Sequence, residues 1–170
     1  YTYQFNYTGY HTVKVRVFDE HGCWNTLEKT NWIFVSHPTV ADTAIPLNGC
    51  VPLTVNFTDN STVPNGATIA SRKWVFGNGS ATTTSATISN IYNAAGNYTI
   101  KLYVTDNLGC NDSLIKPVYV NAYKPDAFFS VPDTVCLHGD VNFSNGTNGD
   151  APLTYTWDFG DKKPLDNAKN

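Results

Sequence analysis

The chain has 170 residues, of which 41 % are hydrophobic and 15 % charged, and its formal net charge is −3. This length allows one or two small domains. The negative charge and the lack of a basic cluster argue against nucleic-acid binding, and the lack of a long apolar run argues against membrane insertion. Because the chain starts with Tyr1 and contains no Met and no signal peptide, we expect a mature piece or an excised segment of a β-rich extracellular protein.

Residues 1–36 predict two β-strands joined by a tight turn. After Gly9 apolar and polar residues alternate, and a period of two is typical of a strand with one buried face. The turn lies at His21-Gly22-Cys23, and a second strand ends in Trp32-Ile33-Phe34-Val35. The first-strand residues predicted to face the core are His11, Val13, Val15 and Val17.

Residues 37–122 predict one complete unit of about seven short strands, the pattern of a β-sandwich. The linker Ser36-His37-Pro38 precedes this unit, because Pro interrupts strand pairing. We expect Trp74 to pack against Leu102 and Phe57 in its core. The strands are predicted in residues 39–45, 53–58, 73–76, 82–92, 96–104 and 114–120, with a tight turn at Gly77-Asn78-Gly79.

The chain repeats itself. The strand at residues 96–104 matches the one that starts at Gly9, 87 residues earlier, and both copies continue into Asp, two variable residues, Gly and Cys. Residues 123–170 begin the unit a further time. There Val141-Asn142-Phe143 repeats Val55-Asn56-Phe57, and Trp157-Asp158-Phe159-Gly160 repeats Trp74-Val75-Phe76-Gly77. This periodicity predicts a tandem repeat.

The spacing also joins the two ends of the chain. Trp74 and Gly96 are 22 residues apart, while Trp157 lies 13 residues before Asn170 and Gly9 is the ninth residue. The distance through the joined ends is therefore the same, and Phe5 takes the position of Tyr92. We expect residues 1–36 to be the C-terminal half of a unit, 37–122 a complete unit, and 123–170 an N-terminal half.

The combination of a VNF strand, a WxFG turn and a YTIKLYV strand resembles the PKD (polycystic kidney disease) domain. The resemblance covers essentially the whole chain and implies an all-β fold of tandem immunoglobulin-like β-sandwiches. The wording GCVPLTVNFTD at residues 49–59 is most similar to PKD repeats of Bacteroidota surface proteins, including gliding-motility adhesins. The family's Gly-Asp-Gly turn is replaced by Gly77-Asn78-Gly79 and Gly160-Asp161-Lys162, and its preferred Tyr is His11.

Neither metal binding nor catalysis is expected. Calcium requires six to eight oxygen ligands, whereas the pairs Asp158/Asp161 and Asp106/Asn107 are more typical of turns. The four histidines share no motif, and no HExxH or nucleophile-elbow sequence occurs. They are His11, His21, His37 and His138, of which the inward His11 is expected to be buried and hydrogen-bonded. We therefore predict a non-enzyme without metal or cofactor.

Some surface residues are candidates for interactions. Phe18, Tyr103, Tyr119 and Trp24 are predicted to be exposed, where they would either stack on sugars or cover the junction between neighbouring units. We favour the junction. Three Asp-Ser/Thr-aliphatic segments resemble the O-glycosylation signal of Bacteroidota, which would modify Thr43, Ser113 and Thr134.

The four cysteines are disulfide candidates, because an extracellular location favours disulfides. Cys23 and Cys110 follow the repeated strand, and Cys50 and Cys136 precede the VNF strand. Pairing Cys50 with Cys110 is simplest, but sandwich topology separates them by roughly 20 Å, and a disulfide requires Cα atoms within about 7 Å. Bridges across junctions are the alternative: Cys50 to the Cys23 equivalent of the following unit, and Cys110 to the Cys136 equivalent of the preceding one.

The leading functional hypothesis is a spacer in a long extracellular fibre or surface adhesin. Its partners would be neighbouring copies or domains, joined end to end by linkers such as Ser36-His37-Pro38 and Ala122-Tyr123-Lys124-Pro125, which restrict bending. We expect neighbouring copies to complete the half units. The competing hypothesis is a carbohydrate- or protein-binding accessory domain of a secreted protein.

Overall fold

The computed structural model describes residues 1–80, 85–149 and 152–161, and in these ranges the chain forms strands and no helix. None of the described segments is a helix that is long and apolar enough to cross a membrane. The strands are β1 (Gly9–Phe18), β2 (Trp24–Val35), β3 (Asp42–Ile45), β4 (Asn48–Cys50), β5 (Leu53–Asp59), β6 (Ile69–Val75), β7 (Thr87–Tyr92), β8 (Gly96–Asp106), β9 (Asn111–Tyr123), β10 (Phe129–Ser130) and β11 (Ser144–Asn145).

Strands β3 to β9 form a sandwich of two sheets. One sheet has the order β3-β5-β7 and the other β4-β9-β8-β6. All pairs are antiparallel except β4 with β9, which run parallel. The all-β, immunoglobulin-like sandwich predicted from the sequence is thus confirmed, and we refer to residues 37–122 as the central unit.

The core of the central unit follows the predicted alternation. In β5, Leu53, Val55 and Phe57 are buried, whereas the intervening Thr54 and Asn56 are exposed. In β8, Ile100, Leu102 and Val104 are buried. Burial of these apolar faces between the two sheets removes them from water and provides the main stabilisation of the fold.

Trp74 lies at the centre of this core, as predicted. It is fully buried and is the cross-strand partner of Leu102. Its ring centroid lies 5.6 Å from that of Phe57, and its indole Nε1 donates a hydrogen bond of 3.2 Å to the backbone oxygen of Ser85. The only polar atom of this large side chain is therefore satisfied inside the core.

Strand β9 departs from simple alternation, and one predicted exposure is wrong for that reason. From the pair Tyr98↔Val120 to the pair Ile100↔Lys116, β8 advances by two residues and β9 by four. Strand β9 therefore contains two extra residues at this point. Val118 has a positive φ of 50° in this irregularity and is exposed. Tyr119 consequently turns inward and packs partly buried against the core, rather than outward as period-two counting predicts.

Strands β1 and β2 form a separate antiparallel hairpin that repeats β8 and β9 in detail. The same irregularity occurs between His11 and Val13, and Asn31 has a φ of 50°, as Val118 does 87 residues later. The ring of Phe5 lies 4.6 Å from that of His11, and the equivalent pair Tyr92–Tyr98 is separated by 4.3 Å. His11 Nε2 lies 2.9 Å from the backbone oxygen of Tyr7, and its side chain is half-buried.

In the part of the C-terminal region that the structure describes, the named strands are the short pair β10–β11, and Asp126 forms an isolated bridge with Asn148. The register of β10 with β11 repeats that of β3 with β5, since Phe129↔Asn145 corresponds to Asp42↔Asp59. The predicted strand at Val141-Asn142-Phe143 lies outside β11. In the central unit β7 pairs with β5 along its length, and the described C-terminal residues contain no counterpart of β7. The β10–β11 pairing is accordingly shorter than the β3–β5 pairing.

Strand ends differ modestly from the expectations. The strand predicted at 39–45 begins at Asp42, and Thr39 forms only an isolated bridge with Thr62. The strand predicted at 73–76 spans Ile69–Val75. Of the strand predicted at 82–92, β7 covers Thr87–Tyr92, and residues 82–84 lie outside the described residues.

Replacing Trp74 by Ala should lower the free energy of unfolding by roughly 3–5 kcal/mol, because a large buried side chain is lost and a cavity remains. Urea denaturation followed by circular dichroism measures this change. The matched control is Trp32→Ala, since Trp32 is 65 % exposed and its loss should cost less than about 1 kcal/mol. Equal effects of the two substitutions would contradict the assignment of Trp74 to the core.

Candidate functional site

The strongest candidate site is the junction between the β1–β2 hairpin and the central unit. Ser36, directly after β2, donates its hydroxyl hydrogen to Oδ2 of Asp106 over 2.5 Å. Asp106 is the last residue of β8 and is 2 % exposed. A buried carboxylate requires partners, and here one of them comes from the preceding segment of the chain.

The other carboxylate oxygen of Asp106 organises the β8–β9 turn. It accepts hydrogen bonds of 2.9 Å from the backbone N–H groups of Leu108 and Cys110. The hydrogen bond from Ser36, together with those from the turn backbone, outweighs the effect of desolvation and holds the pKa of Asp106 below its ordinary value of 3.8. The carboxylate form therefore stabilises both the turn and the junction.

Asp19 repeats this turn in the hairpin. Its Oδ1 accepts hydrogen bonds from the backbone N–H groups of His21 and Cys23, over 3.0 and 2.8 Å. The backbone N–H of Asp19 donates to the oxygen of Cys23 over 3.0 Å, as Asp106 does to Cys110 over 2.9 Å. The repeated Asp-x-x-Gly-Cys sequence is thus a turn motif whose aspartate caps the hairpin.

Side-chain packing completes the junction. The rings of Tyr10 and Phe34 lie 4.7 Å apart at the base of the hairpin. A Cβ atom at Gly66 would lie 3.3 Å from the Tyr10 hydroxyl and 3.4 Å from a Phe34 ring carbon, and Gly66 has a φ of +101°. The hairpin therefore rests on the loop around Gly66, where both the φ angle and the close approach favour glycine. Pro38 of the linker is fully buried.

Chain entry and chain exit lie at opposite ends of the central unit. The chain enters beside Asp106 and leaves at Tyr123, which pairs with Cys50. Strand β9 connects Asn111, next to Cys110, with Tyr123. Because residues 111–122 lie opposite only nine steps of β8, the two ends of β9 are roughly 30 Å apart. Cys50 and Cys110 therefore lie at opposite ends, as the sandwich topology predicts, and they cannot bridge each other in this fold. All four cysteines are free thiols in the structure.

Residues considered as metal ligands accept backbone hydrogen bonds in turns and loops. Asp158 Oδ1 accepts a hydrogen bond of 2.9 Å from the backbone N–H of Gly160, and Asn107 Oδ1 accepts one of 2.9 Å from Thr68. Among the residues that the structure describes, no cluster of three His, Cys, Asp or Glu side chains occurs. The absence of metal, cofactor and enzymatic activity stays a prediction.

Sequence reasoning missed two ion pairs that link the sheets of the central unit. Lys116 Nζ lies 3.0 Å from Oδ1 of the buried Asp42, and Arg72 forms an ion pair with the buried Asp59. Partial burial alone would lower the pKa of Lys116, but hydrogen bonds with Tyr119 and Asp42 outweigh it and raise that pKa. The ion pairs offset part of the cost of removing the carboxylates of Asp42 and Asp59 from water, although Oδ2 of Asp42 is buried without a hydrogen-bond partner among the described residues.

Two of the surface candidates lie together, since Phe18 and Trp24 are cross-strand partners in the hairpin, whereas Tyr103 lies on β8. Phe18, Trp24 and Tyr103 are exposed, and the guanidinium of Arg16 covers the Trp24 ring at 4.8 Å from its centroid. The three glycosylation candidates Thr43, Ser113 and Thr134 all lie on the surface. The aspartate that precedes Thr43 is buried in its ion pair with Lys116, whereas Asp133 is exposed.

A comparison with protein-family models matches residues 36–122 to the family described as PKD domain. This match spans the central unit, which is half of the chain. The chain belongs to the PKD domain family. A comparison with curated proteins found no match. The PKD domain is an immunoglobulin-like module typical of extracellular proteins, and the resemblance noted in the sequence is confirmed at the level of this domain.

The lowered pKa of Asp106 predicts acid sensitivity. A carboxyl whose pKa is depressed by folding contributes stability above its unfolded pKa, and this contribution is lost as pH falls through its folded pKa. Between about pH 5 and about pH 2, the free energy of unfolding should therefore fall more steeply in the wild type than in Asp106→Asn. Ser36→Ala, which removes the largest cause of the shift, should show an intermediate slope. Parallel curves for wild type and Asp106→Asn would contradict the assignment.

Proposed function

We propose that this PKD protein is a structural spacer in a long extracellular fibre or surface adhesin, a role without catalysis. The observation that carries the proposal is the Ser36–Asp106 contact, which joins the end of the hairpin to one end of the central unit. A flexible linker would not place a buried carboxylate where it accepts a hydrogen bond from the segment before it. The junction instead limits bending, and the buried Pro38 of the linker supports this restriction.

The placement of chain entry and exit supports the same role. Because the chain enters at the Asp106 end and leaves at the Tyr123 end, each complete unit extends the molecule by the length of its sheet. Tension along this axis acts parallel to the strands. At the exit, β9 is held beside β4 by bonds such as Asn121 N–H to Leu47 O (2.8 Å) and Val51 N–H to Tyr123 O (2.9 Å). Such bonds lie across the direction of pull and are loaded together rather than one after another.

The domain boundaries of the proposal are those expected from the sequence. Residues 1–36 are the C-terminal half of a PKD unit and residues 123–170 the N-terminal half. The hairpin supports this division, since it repeats the register of β8–β9, the turn at Asp106 and the position of Val118. The β10–β11 pair supports it with the register of β3–β5. Exposure of Thr43, Ser113 and Thr134 supports, as a further part of the proposal, glycosylation of the fibre surface.

A carbohydrate- or protein-binding accessory role is the second candidate. The observation in its favour is the outward side chain of Tyr103, which is 39 % exposed on β8, beside Lys73. An exposed aromatic ring on a rigid sheet is a suitable platform for a sugar. It is a single ring rather than a continuous apolar patch, so it carries less weight than the junction.

Small-angle X-ray scattering of the full chain tests the spacer role. The wild type should give an extended, narrow distribution of interatomic distances, and Asp106→Ala should broaden it, because the hairpin loses its hydrogen bond to the central unit. Asp19→Ala is the matched control, since its side-chain bonds hold its own turn and not the junction. Unchanged scattering for Asp106→Ala, with the fold intact by circular dichroism, would contradict a stiff junction.

A glycan array separates the two candidates. The spacer role predicts no binding by the full chain across a broad array. Binding that is lost in Tyr103→Ala but kept in Lys73→Ala would instead support the accessory role. In that outcome the tyrosine ring, and not the charge beside it, forms the platform.

A further inference from the structure

One buried carboxylate of the central unit is only partly satisfied. The side chain of Asp42 is 2 % exposed, and its Oδ1 lies 3.0 Å from Lys116 Nζ. Its Oδ2 is buried and has no hydrogen-bond partner among the described residues. An anionic oxygen in this position loses its hydration without compensation, which is costly in free energy.

The second buried ion pair of the same unit provides a contrast. Oδ1 of Asp59 accepts a hydrogen bond of 2.8 Å from the backbone N–H of Ser61, and its Oδ2 pairs with Arg72. Both carboxylate oxygens are thus satisfied, as they are in Asp106. An ion pair therefore accounts fully for the burial of Asp59, whereas it leaves Oδ2 of Asp42 without a donor.

The amine of Lys116 is held in one position against Asp42. Besides its contact with Oδ1, Nζ lies 3.0 Å from the backbone oxygen of Asp42 and 3.1 Å from the hydroxyl oxygen of Tyr119. A nucleophile that is fixed beside an electrophilic carbon avoids most of the entropic cost of a bimolecular encounter. Lysine can lose its proton and act as a nucleophile, whereas the guanidinium of Arg72 stays protonated.

We propose that Lys116 and Asp42 form an intramolecular amide bond once the central unit has folded. One Nζ proton passes to the carboxylate, which neutralises both groups in a site where burial disfavours charge. The nitrogen lone pair then forms a bond to Cγ. The bond from Cγ to Oδ2 breaks with its electron pair going to oxygen, and this oxygen takes a second proton from nitrogen and leaves as water. An ammonium and a carboxylate thus become one amide and one water molecule, and no oxidant or reductant is needed.

Formation of the amide removes the oxygen that has no partner, because Oδ2 departs as water. The remaining N–H keeps an acceptor, since the Tyr119 hydroxyl oxygen and the backbone oxygen of Asp42 lie beside the nitrogen. Although burial acts in the opposite direction, hydrogen bonds with Tyr119 and Asp42 raise the pKa of Lys116. The ammonium form therefore predominates before the reaction, and we expect the bond to form over hours rather than seconds.

The amide would link the first and the last strand of the unit across its two sheets. Asp42 is the first residue of β3, in the sheet β3-β5-β7, and Lys116 lies on β9 in the other sheet. Tension applied between Ser36 and Tyr123 would then pass through the amide. Residues 43–115 would lie outside the loaded path. This consequence adds to the spacer function proposed above, but the bond itself does not depend on that function.

Intact-mass spectrometry of the full chain, after prolonged incubation in neutral buffer with a reductant, tests the proposal. The wild type should be lighter than its sequence mass by one water molecule. Lys116→Arg should keep its full mass, because the guanidinium does not form this amide. Lys14→Arg is the matched control, since the Lys14–Glu28 pair is also in contact, at 2.6 Å, but is half-exposed to solvent. This control should lose the water as the wild type does.

Peptide mapping distinguishes the amide from other losses of water, such as the cyclisation of an aspartate. After proteolysis, tandem mass spectrometry should find the peptide that contains Asp42 joined to the peptide that contains Lys116. Fragment ions should place the bond at these two side chains. The joined peptide should be missing from Lys116→Arg and present in Lys14→Arg.

A folded wild type with its full sequence mass would overturn the proposal, as would a loss of water that persists in Lys116→Arg. Circular dichroism establishes folding in each sample, and the wild-type mass decides the first outcome even if Lys116→Arg fails to fold. The spacer function is judged separately, because it is tested by the solution scattering of the full chain and not by its mass.

Discussion

The packing of one aromatic pair against one strand determines the architecture of this chain. Trp74 and Phe76 enter the core from β6 and the residue after it, and the apolar face of β8 with Leu102 at its centre receives them. A β-sheet with one apolar face is not stable until that face is covered. Where both halves are present, in the central unit, the core closes completely. In the hairpin and in the described C-terminal residues, the matching side chains are more exposed, although the aromatic rings keep a similar local geometry.

This separation of local geometry from closure explains what repeats and what does not. The turns at Asp19 and Asp106 are alike, as is the backbone at Asn31 and Val118, because each depends on contacts within its own pair of strands. The ring contacts among Phe57, Trp74 and Phe76 recur among Phe143, Trp157 and Phe159 for the same reason. The number of paired residues differs because a strand pairs over a longer stretch when neighbouring strands support it on both sides. In the central unit β5 pairs along its length with β7, whereas β11 is limited to two residues beside β10.

Much of the fold can be predicted from the sequence, because the strands with one buried face alternate strictly. Leu53, Val55 and Phe57 in β5 are an example, and the burial of Trp74 follows from the same pattern. The inward turn of Tyr119 could not be predicted, since it depends on the positive φ at Val118, a β-branched residue that rarely adopts this conformation. The Ser36–Asp106 bond joins residues 70 positions apart, and no local pattern indicates which serine reaches the aspartate. Its only sequence signal is Asp106 itself, which ends an apolar strand and needs a partner if it is buried.

The position of Asp106 gives the junction a property that apolar packing alone lacks. Contacts such as those of Tyr10 and Phe34 with the Gly66 loop are tolerant of small rotations, because dispersion and hydrophobic attraction have little directionality. A hydrogen bond to a buried carboxylate is directional, and a misplaced Ser36 would leave an anionic oxygen without its partner. The carboxylate whose other oxygen holds the β8–β9 turn therefore also fixes the orientation of the hairpin. A single residue thus couples the β8–β9 turn to the placement of the hairpin on the central unit.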